Sequence, residues 1–425
     1  MSTSRNILDS GARGTRIRTV LLFVFAAIPL TFPPLGFLGF NMSGWIWLME
    51  LAVIALIVLS EPTHRQAARY LMPYQLFLLY AVVSLAWSPS LRHGAQLLAQ
   101  FTVPALAYLL AWRASEDLEI RRKLIIISRW GLGVAAVLFV GGIVMPGSFG
   151  FFGPVSRPAS LSLVALFVVA TLDSKSWRST LLVGGVALTL TAAAGARAAS
   201  AMLVIMLLIS PSLGVGWRGR AVMISICLVA VVMVSNTQAF KERFFFNQEE
   251  ASLESALTLS GNLQTAGRRE LWPILRQKCS SAELTGLGLG SASALSSSFS
   301  QGGVDQPHND YLRIYCDAGL LGTATFWAFF LWAGVRSWRG ALTGPDRSLH
   351  GAAGQLVLAL LLFAITDNPV IYTALFMVPL GVVLGLSDRA LMQSRMRPGD
   401  SKSYDKAAYP SAAQEPLVPP RHHKP

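Results

Sequence analysis

Long apolar runs separated by short polar stretches dominate the chain. A helix needs about 20 mostly apolar residues to cross a bilayer. By this criterion the sequence predicts twelve spans, at about 19–40, 43–60, 71–87, 95–112, 124–145, 158–172, 180–194, 199–216, 220–236, 309–335, 351–368 and 371–388. The first contains Pro29, Pro33 and Pro34, so we expect it to kink or break there. The pattern predicts an all-α, polytopic membrane protein.

Basic residues set the predicted orientation. The segments predicted to face inward hold 24 of the 35 Lys and Arg residues, whereas the short outer loops hold only Arg92, Arg157 and Arg197. Because cytoplasmic loops are enriched in Lys and Arg, both termini are predicted to be cytoplasmic. The basic residues lie between spans and form no single patch, so a net charge of +13 does not indicate a nucleic-acid partner.

Composition narrows the possible classes further. Hydrophobic residues make up 53% of the chain and charged residues 13%, which excludes a water-soluble enzyme, a disordered protein and a secreted disulfide scaffold. The three cysteines, Cys227, Cys279 and Cys316, are too few and too scattered to predict a disulfide framework or a zinc site. Membrane lipids are therefore the expected surroundings.

The predicted spans divide the chain into four parts. These are the N-terminal membrane helices at 1–236, a large periplasmic loop at 237–308, the C-terminal membrane helices at 309–388, and a tail at 389–425. The tail is rich in Pro, Ser and Ala and is expected to be disordered and cytoplasmic. Only the loop is long, and loops beyond about 15 residues usually have a function.

Several stretches of the loop have a recognisable pattern. Residues 244–246 are three phenylalanines after a charged stretch, which predicts an interfacial helix, and Ser260-Gly261 predicts a turn. The alternating glycines from Gly286 to Gly290 can wrap a phosphate with backbone amides, or they can simply form a flexible turn. They do not continue as a Walker or dinucleotide motif.

His308 is the first candidate for chemistry. Of the six histidines, only His93 and His308 are predicted to face outward. His308 follows Pro307 in the predicted first turn of a helix, at the membrane surface. There a neutral imidazole can accept a proton near neutral pH. The alternative is a surface or capping histidine.

Three arginines are candidates for anion binding. Arg197 lies in a very short outer loop, and Arg268 and Arg269 lie in the large one. Arginine binds phosphate in a bidentate manner. The alternatives are solvated loop charges for Arg268 and Arg269, and snorkelling to lipid headgroups for Arg197.

Acidic residues also lie in or near the predicted spans. Asp317 follows Arg313 by four residues, which predicts an intrahelical ion pair. Glu50 has no evident partner in the second span, and Asp367 with Asn368 suggests a helix cap or a turn.

Two motifs together resemble those of the O-antigen ligase and O-antigen polymerase superfamily. Residues 308–312 read His-Asn-Asp-Tyr-Leu, and residues 317–322 read Asp-Ala-Gly-Leu-Leu-Gly. In that family a His-Asn pair ends a large periplasmic loop, and a Glu/Asp-x-Gly-x-x-Gly stretch follows in the next helix. Asp317 stands where Glu is commoner.

Further elements agree with this resemblance over about 190–370. Gly267-Arg268 with Trp272 is similar to the family's Gly-Arg…Trp element, and Gly286 to Gly290 to its Gly-rich turn. Arg197 takes the place of the arginine in the family's Ser-Arg element, with Ala196 replacing the serine. Residues 366–368 resemble a late Thr-Asp-Asn element.

The resemblance implies a membrane glycosyltransferase that uses a glycan linked to undecaprenyl diphosphate. It implies that Arg197 and Arg268 bind the diphosphate and that His308 is the catalytic base, with Arg269, Asn309 and Asp310 as possible supporting residues. The acceptor would be lipid A–core or another lipid-linked repeat unit, on the periplasmic face. The outer loop contains no acidic metal-binding cluster, so a metal-independent, inverting transfer without a cofactor is expected.

A multispan transporter or a flippase for a lipid-linked glycan is the alternative function. Such a protein should place charges inside its spans to line a cavity. This chain concentrates charges on the predicted outer face, and it has no internal repeat or inverted pair of broken helices. The pattern therefore favours an enzyme that acts at that face.

Overall fold

The computed structural model describes most of the chain. The described residues are 2–33, 36–37, 40–60, 65–114, 118–145, 155–156, 158–174, 176–210, 216, 218–225, 229, 268–299, 306–344 and 346–396. The interfacial helix predicted at 244–246, the turn predicted at 260–261 and residues 397–425 of the predicted tail lie outside them. The last helix extends to Met396, so the first residues of that predicted tail are helical.

The described residues are almost entirely helical, which confirms the all-α prediction. The helices are α1 Ser2–Ala27, α2 Met42–Ser60, α3 Arg65–Ser84, α4 Leu91–Ala114, α5 Leu118–Val144, α6 Ser160–Ala170, α7 Trp177–Ala193, α8 Arg197–Ile209, α9 Arg268–Cys279, α10 Ser291–Phe299, α11 Asp310–Thr343, α12 Arg347–Thr366 and α13 Val378–Met396. Residues 218–225 are also helical. A π-helical turn, Thr373–Met377, precedes α13, and strands β1 Gly36–Phe37 and β2 Phe40–Asn41 form one antiparallel pair.

Within the described part of the chain, six helices are long and apolar enough to cross a membrane. They cover Gln66–Trp87, Leu91–Ala114, Glu119–Val144, Asp310–Thr343, Arg347–Thr366 and Thr373–Arg395. Shorter apolar helices at Gly44–Leu56, Ser160–Ala170 and Arg197–Ile209 fall within or overlap predicted spans. The chain is thus a multi-pass membrane protein, and the count of twelve spans stays a prediction.

The break predicted in the first span is confirmed. Helix α1 ends at Ala27, and a 3₁₀ turn, Ile28–Thr31, carries Pro29. Proline has no N–H to donate, and its ring clashes with the preceding turn of an α-helix. The chain therefore leaves the helix before it completes the predicted span.

Aromatic side chains join α3, α4 and α11 in the core. Tyr74 and Phe77 of α3 meet Phe101 of α4 and Phe326 and Phe330 of α11, with ring centres 4.8–5.9 Å apart. The Tyr74 hydroxyl donates to the Phe101 carbonyl at 2.8 Å, so its one polar atom is satisfied. This packing fixes the membrane helix α11, whose first residues belong to the candidate site.

Reporter fusions will test the predicted orientation. Because the basic residues concentrate on one side, we expect a fusion after residue 400 to report the cytoplasm and one within 250–300 to report the periplasm. Paired alkaline phosphatase and fluorescent-protein fusions at both positions measure this directly. A cytoplasmic signal from the 250–300 fusion would overturn the predicted position of the loop.

Candidate active site

The glycine-rich turn that follows α9 packs tightly against α11. Gly286, Gly288 and Gly290 have positive φ angles, and a Cβ at any of them would overlap neighbouring backbone. Helix α11 breaks at Gly319, where φ is 61° and ψ is −164°. The amide of Leu287 donates to the Cys316 carbonyl at 2.8 Å, and that of Gly288 to the Asp317 carbonyl at 3.1 Å. These amides are therefore used within the protein, and the turn is packed rather than flexible.

Asp317 anchors this turn, and its predicted pairing is wrong. Its carboxylate accepts hydrogen bonds from the Ala292 amide at 2.8 Å and the Ser291 hydroxyl at 3.0 Å. These donors lie at the start of α10, where backbone N–H groups lack helical partners and favour a negative charge. Arg313, the partner predicted for Asp317, forms its ion pair with Asp310 at 2.8 Å instead.

A disulfide between Cys279 and Cys316 joins the end of α9 to α11. Leu271, Leu275 and Ala292 pack around it in a small apolar cluster shared by α9, α10 and α11. The number and spacing of the cysteines do not predict this bond, because two cysteines 37 residues apart among three give no pairing signal. The bond fixes α9, with Arg268 at its first position, against the helix that follows His308.

We expect reduction of this disulfide to destabilise the region where α9 and α10 pack against α11. Removing a cross-link of this kind typically costs about 2–4 kcal/mol. The double variant Cys279→Ser/Cys316→Ser and reduced wild type should both unfold several degrees below oxidised wild type in a thermal melt. Cys227→Ser, which leaves the disulfide intact, is the matched control. Identical melting of oxidised and reduced wild type would contradict the expectation.

His308 lies in a constrained turn between α10 and α11. Its φ is 51°, an uncommon value for a residue with a side chain, and such conformations often occur at functional sites. The indole of Trp272, in α9, donates to the carbonyl of Pro307 at 2.7 Å. Asn309 caps α11, since its side-chain oxygen accepts from the Leu312 amide at 2.9 Å. Both neighbours of His308 are therefore held in place.

Asp367 and Asn368 are the partners of the His308 ring. The Nδ1 atom of His308 lies 3.6 Å from Asp367 Oδ1 and 3.4 Å from Asn368 Nδ2. The Asn368 side-chain amide can donate to Nδ1, whereas a proton on Nδ1 would point toward the Asp367 carboxylate, so the role of Nδ1 depends on the ring tautomer. The sequence pattern predicts a cap or turn at Asp367 and Asn368 and does not predict this contact. The Thr-Asp-Asn resemblance at 366–368 was the signal that could have found it.

Arg268 joins the same group of side chains. It is the first residue of α9, half-buried, and it interacts electrostatically with Asp367 and Tyr372. Burial lowers the pKa of the Arg268 guanidinium from its usual value, while the negative charge of Asp367 opposes that shift. Arginine remains protonated in proteins, so the site keeps a positive charge. The Nε atom is buried and has no hydrogen-bond partner in the described part of the protein.

Asp310, the first residue of α11, lies close to His308 and Asp367. It is fully buried and interacts electrostatically with both His308 and Asp367. Its Oδ2 atom accepts a hydrogen bond from the Val370 amide at 2.9 Å. The structure therefore brings together three residues that the sequence singled out, His308, Arg268 and Asp310, and adds Asp367 and Asn368.

Other residues singled out from the sequence stay predictions. Arg197 is the first residue of α8 and is exposed, and α8 packs against α12, which ends at Asp367. Arg269 lies in the first turn of α9. Glu50 is fully buried in α2, and neither of its oxygens has a hydrogen-bond partner among the described residues. Nothing in the structure explains Glu50.

The six long apolar helices define a multi-pass membrane protein. A polar site of His, Asp, Asn and Arg side chains lies at one end of its helices, where α11 begins and α12 ends. In the part of the chain that the structure describes, no three His, Cys, Asp or Glu side chains are grouped so that they could hold a metal ion.

A family model described as O-antigen ligase matches residues 180–327, which include Arg197, Arg268 and His308. The match confirms the resemblance to the O-antigen ligase and polymerase superfamily. Within residues 180–327 the chain is therefore similar to proteins of that family. No curated protein matches the chain.

Proposed function

We propose that this protein transfers a glycan from undecaprenyl diphosphate to a sugar hydroxyl of an acceptor, on the periplasmic face of the inner membrane. The acceptor is lipid A–core or another lipid-linked repeat unit, in lipopolysaccharide or exopolysaccharide biosynthesis. One observation carries the proposal: the His308–Asp367 pair lies beside the cationic Arg268 within one polar site.

The proposed reaction is a single displacement with inversion. The acceptor hydroxyl oxygen attacks the anomeric carbon of the donor glycan, while the bond from that carbon to the diphosphate oxygen breaks. The hydroxyl proton passes to Nε2 of His308, and undecaprenyl diphosphate leaves. In this scheme the resting ring carries its proton on Nδ1, which faces the Asp367 carboxylate, and that carboxylate stabilises the imidazolium that forms.

The arginines stabilise the leaving group in this scheme. Negative charge develops on the diphosphate as the glycosidic bond breaks, and a fixed guanidinium group stabilises it most where water is excluded. The buried Nε of Arg268 is a donor that a phosphate oxygen can satisfy. We assign Arg197 the same role from the family resemblance. These two positive charges would do the work that a metal ion does in other transferases, so we propose a metal-independent reaction.

The disulfide supports the assignment of the site to the periplasm. Disulfides persist in oxidising compartments, including the bacterial periplasm, and are rare in the reducing cytosol. Cys279 lies on α9, which begins with Arg268, and Cys316 lies on α11, which follows His308. The distribution of Lys and Arg over the short loops favours the same orientation.

A reconstituted system separates this function from that of a flippase. Purified protein in liposomes, with the lipid-linked donor and an acceptor supplied only outside, should form a new glycosidic product. The assay is read by chromatography of the labelled glycan. A flippase would move labelled donor across the bilayer and form no such product, and that result would overturn the proposal.

A deletion strain distinguishes the two acceptors. Loss of a ligase should leave lipopolysaccharide without its polymer, whereas loss of a polymerase should leave single repeat units attached. Electrophoresis of lipopolysaccharide from the deletion and complemented strains measures this. An unchanged profile of every surface glycan would contradict both versions.

A further inference from the structure

We propose that Asp310 is a positioning residue of this site, which holds the Asp367–Val370 turn so that Asp367 stays beside His308. The inference rests on the proposed function, because it concerns the geometry of the proposed base. Asp310 itself contacts no substrate in this scheme and acts through the turn. Its role would be to fix one end of α12 relative to the start of α11.

The hydrogen bond from Val370 carries the proposal. Asp310 is fully buried, and its Oδ2 accepts from the Val370 amide at 2.9 Å across a sequence separation of 60 residues. Val370 lies three residues after Asp367, which is beside the His308 ring, in a turn where the Ile371 amide donates to the Asn368 carbonyl at 3.2 Å. A buried carboxylate bound to a backbone amide gives a directional link, and such charge-assisted bonds are stronger than neutral ones.

The guanidinium of Arg313 lies beside the other oxygen of Asp310. The two side chains form an ion pair at 2.8 Å, and both are fully buried. The guanidinium lies 5.9 Å from the centre of the Phe101 ring, in the aromatic core. A buried ion pair adds little stability over an apolar pair of the same volume, because desolvation of both charges offsets their attraction. Positioning of the Asp310 carboxylate is therefore a better explanation for this ion pair than a gain in stability.

The turn is held from a second side by α4. The Gln100 side-chain amide donates to the Ile371 carbonyl at 3.3 Å. Asp310 and Gln100 thus bind adjacent residues of the turn from two helices. The contacts of Asp367 and Asn368 with His308, at 3.6 Å and 3.4 Å, are too long to hold the turn by themselves.

The competing explanation is that Asp310 only neutralises the buried charge of Arg313. Asp310→Asn alone does not decide between them, because it leaves that guanidinium unpaired and threatens folding. Two double variants do decide. Asp310→Asn/Arg313→Met removes both charges and keeps an acceptor oxygen for the Val370 amide. Asp310→Leu/Arg313→Met removes both charges and the acceptor as well.

Both variants are compared with wild type as full-length protein in liposomes. We expect Asp310→Leu/Arg313→Met to lose about 10- to 100-fold in kcat with KM for the lipid-linked donor unchanged, since a displacement of about 1 Å has effects of that size. Hydrogen–deuterium exchange should be faster in the peptide covering 367–371. The variant with asparagine should keep transfer within a few-fold and keep slow exchange.

Each outcome supports or overturns the proposal. Equal kcat in the two variants, whether or not exchange differs, shows that the link to Val370 does not position the site. A rise in KM at unchanged kcat would assign Asp310 to donor binding and also overturn it. If the wild-type protein shows no transfer, the proposed function is wrong. The exchange data would then still report whether Asp310 holds the turn.

Discussion

Replacing His308 with alanine is expected to lower glycan transfer by about 10²- to 10⁴-fold, the range typical for loss of a general base. Binding of the lipid-linked donor should survive, because the arginines hold the diphosphate. Transfer rates and donor binding, measured on the same purified protein, test both halves. His93→Ala is the matched control, since His93 is the other histidine predicted to face outward and its ring bonds to Ser90, three residues away, at 3.0 Å.

The pH dependence of wild type distinguishes a base from a phosphate ligand. A base must be neutral to accept the hydroxyl proton, so the rate should fall on acidification as the imidazole takes up a proton. A histidine that only binds diphosphate should do so better as a cation, and the rate should then rise. A rate that rises on acidification would reject the assignment even if His308→Ala were inactive.

Arg268→Ala is expected to lower kcat by about 10²- to 10³-fold, the usual effect of removing one donor to a developing negative charge. Arg268→Lys should recover little of this loss, because a lysine keeps the charge but not the bidentate fork. The protein should still insert, since Arg268 is only half-buried at the start of α9. Steady-state transfer by each variant, normalised to membrane-inserted protein, measures the effect.

Two nearby arginines serve as controls for Arg268. Arg276 is exposed on the same helix, so Arg276→Lys should leave transfer near the wild-type rate. Arg269→Lys should also be milder, because only Arg268 matches the Gly-Arg element of the family. Transfer by Arg268→Ala at the wild-type rate would remove Arg268 from the site.

Local patterns predicted the membrane helices and part of the site. Apolar runs of sufficient length identify α3, α4 and α11, and the proline in the first span identifies the end of α1. His308 and Arg268 were found because each belongs to a short motif. These features depend on residues a few positions apart, which is the range over which a single sequence is informative.

Contacts between residues far apart in the sequence were not predicted. The side chains of Asn368 and His308 are in contact although the residues lie 60 positions apart in the sequence, and the disulfide joins cysteines that lie 37 positions apart. The ion pair of Arg313 was assigned to the wrong acid because helical spacing permits both Asp310 and Asp317. In the structure Asp317 accepts from the Ser291 hydroxyl and the Ala292 amide at the start of α10, and Asp310 is the acid that pairs with Arg313.

The disulfide also has a consequence for biogenesis. On the proposed topology Cys279 lies in a translocated loop and Cys316 in the span made after it, so the bond can form only once both have reached the oxidising side. A chain inserted with that loop in the cytoplasm would keep both thiols reduced. The fraction of Cys279 and Cys316 that resists alkylation in newly made protein therefore measures how many copies were inserted the right way round.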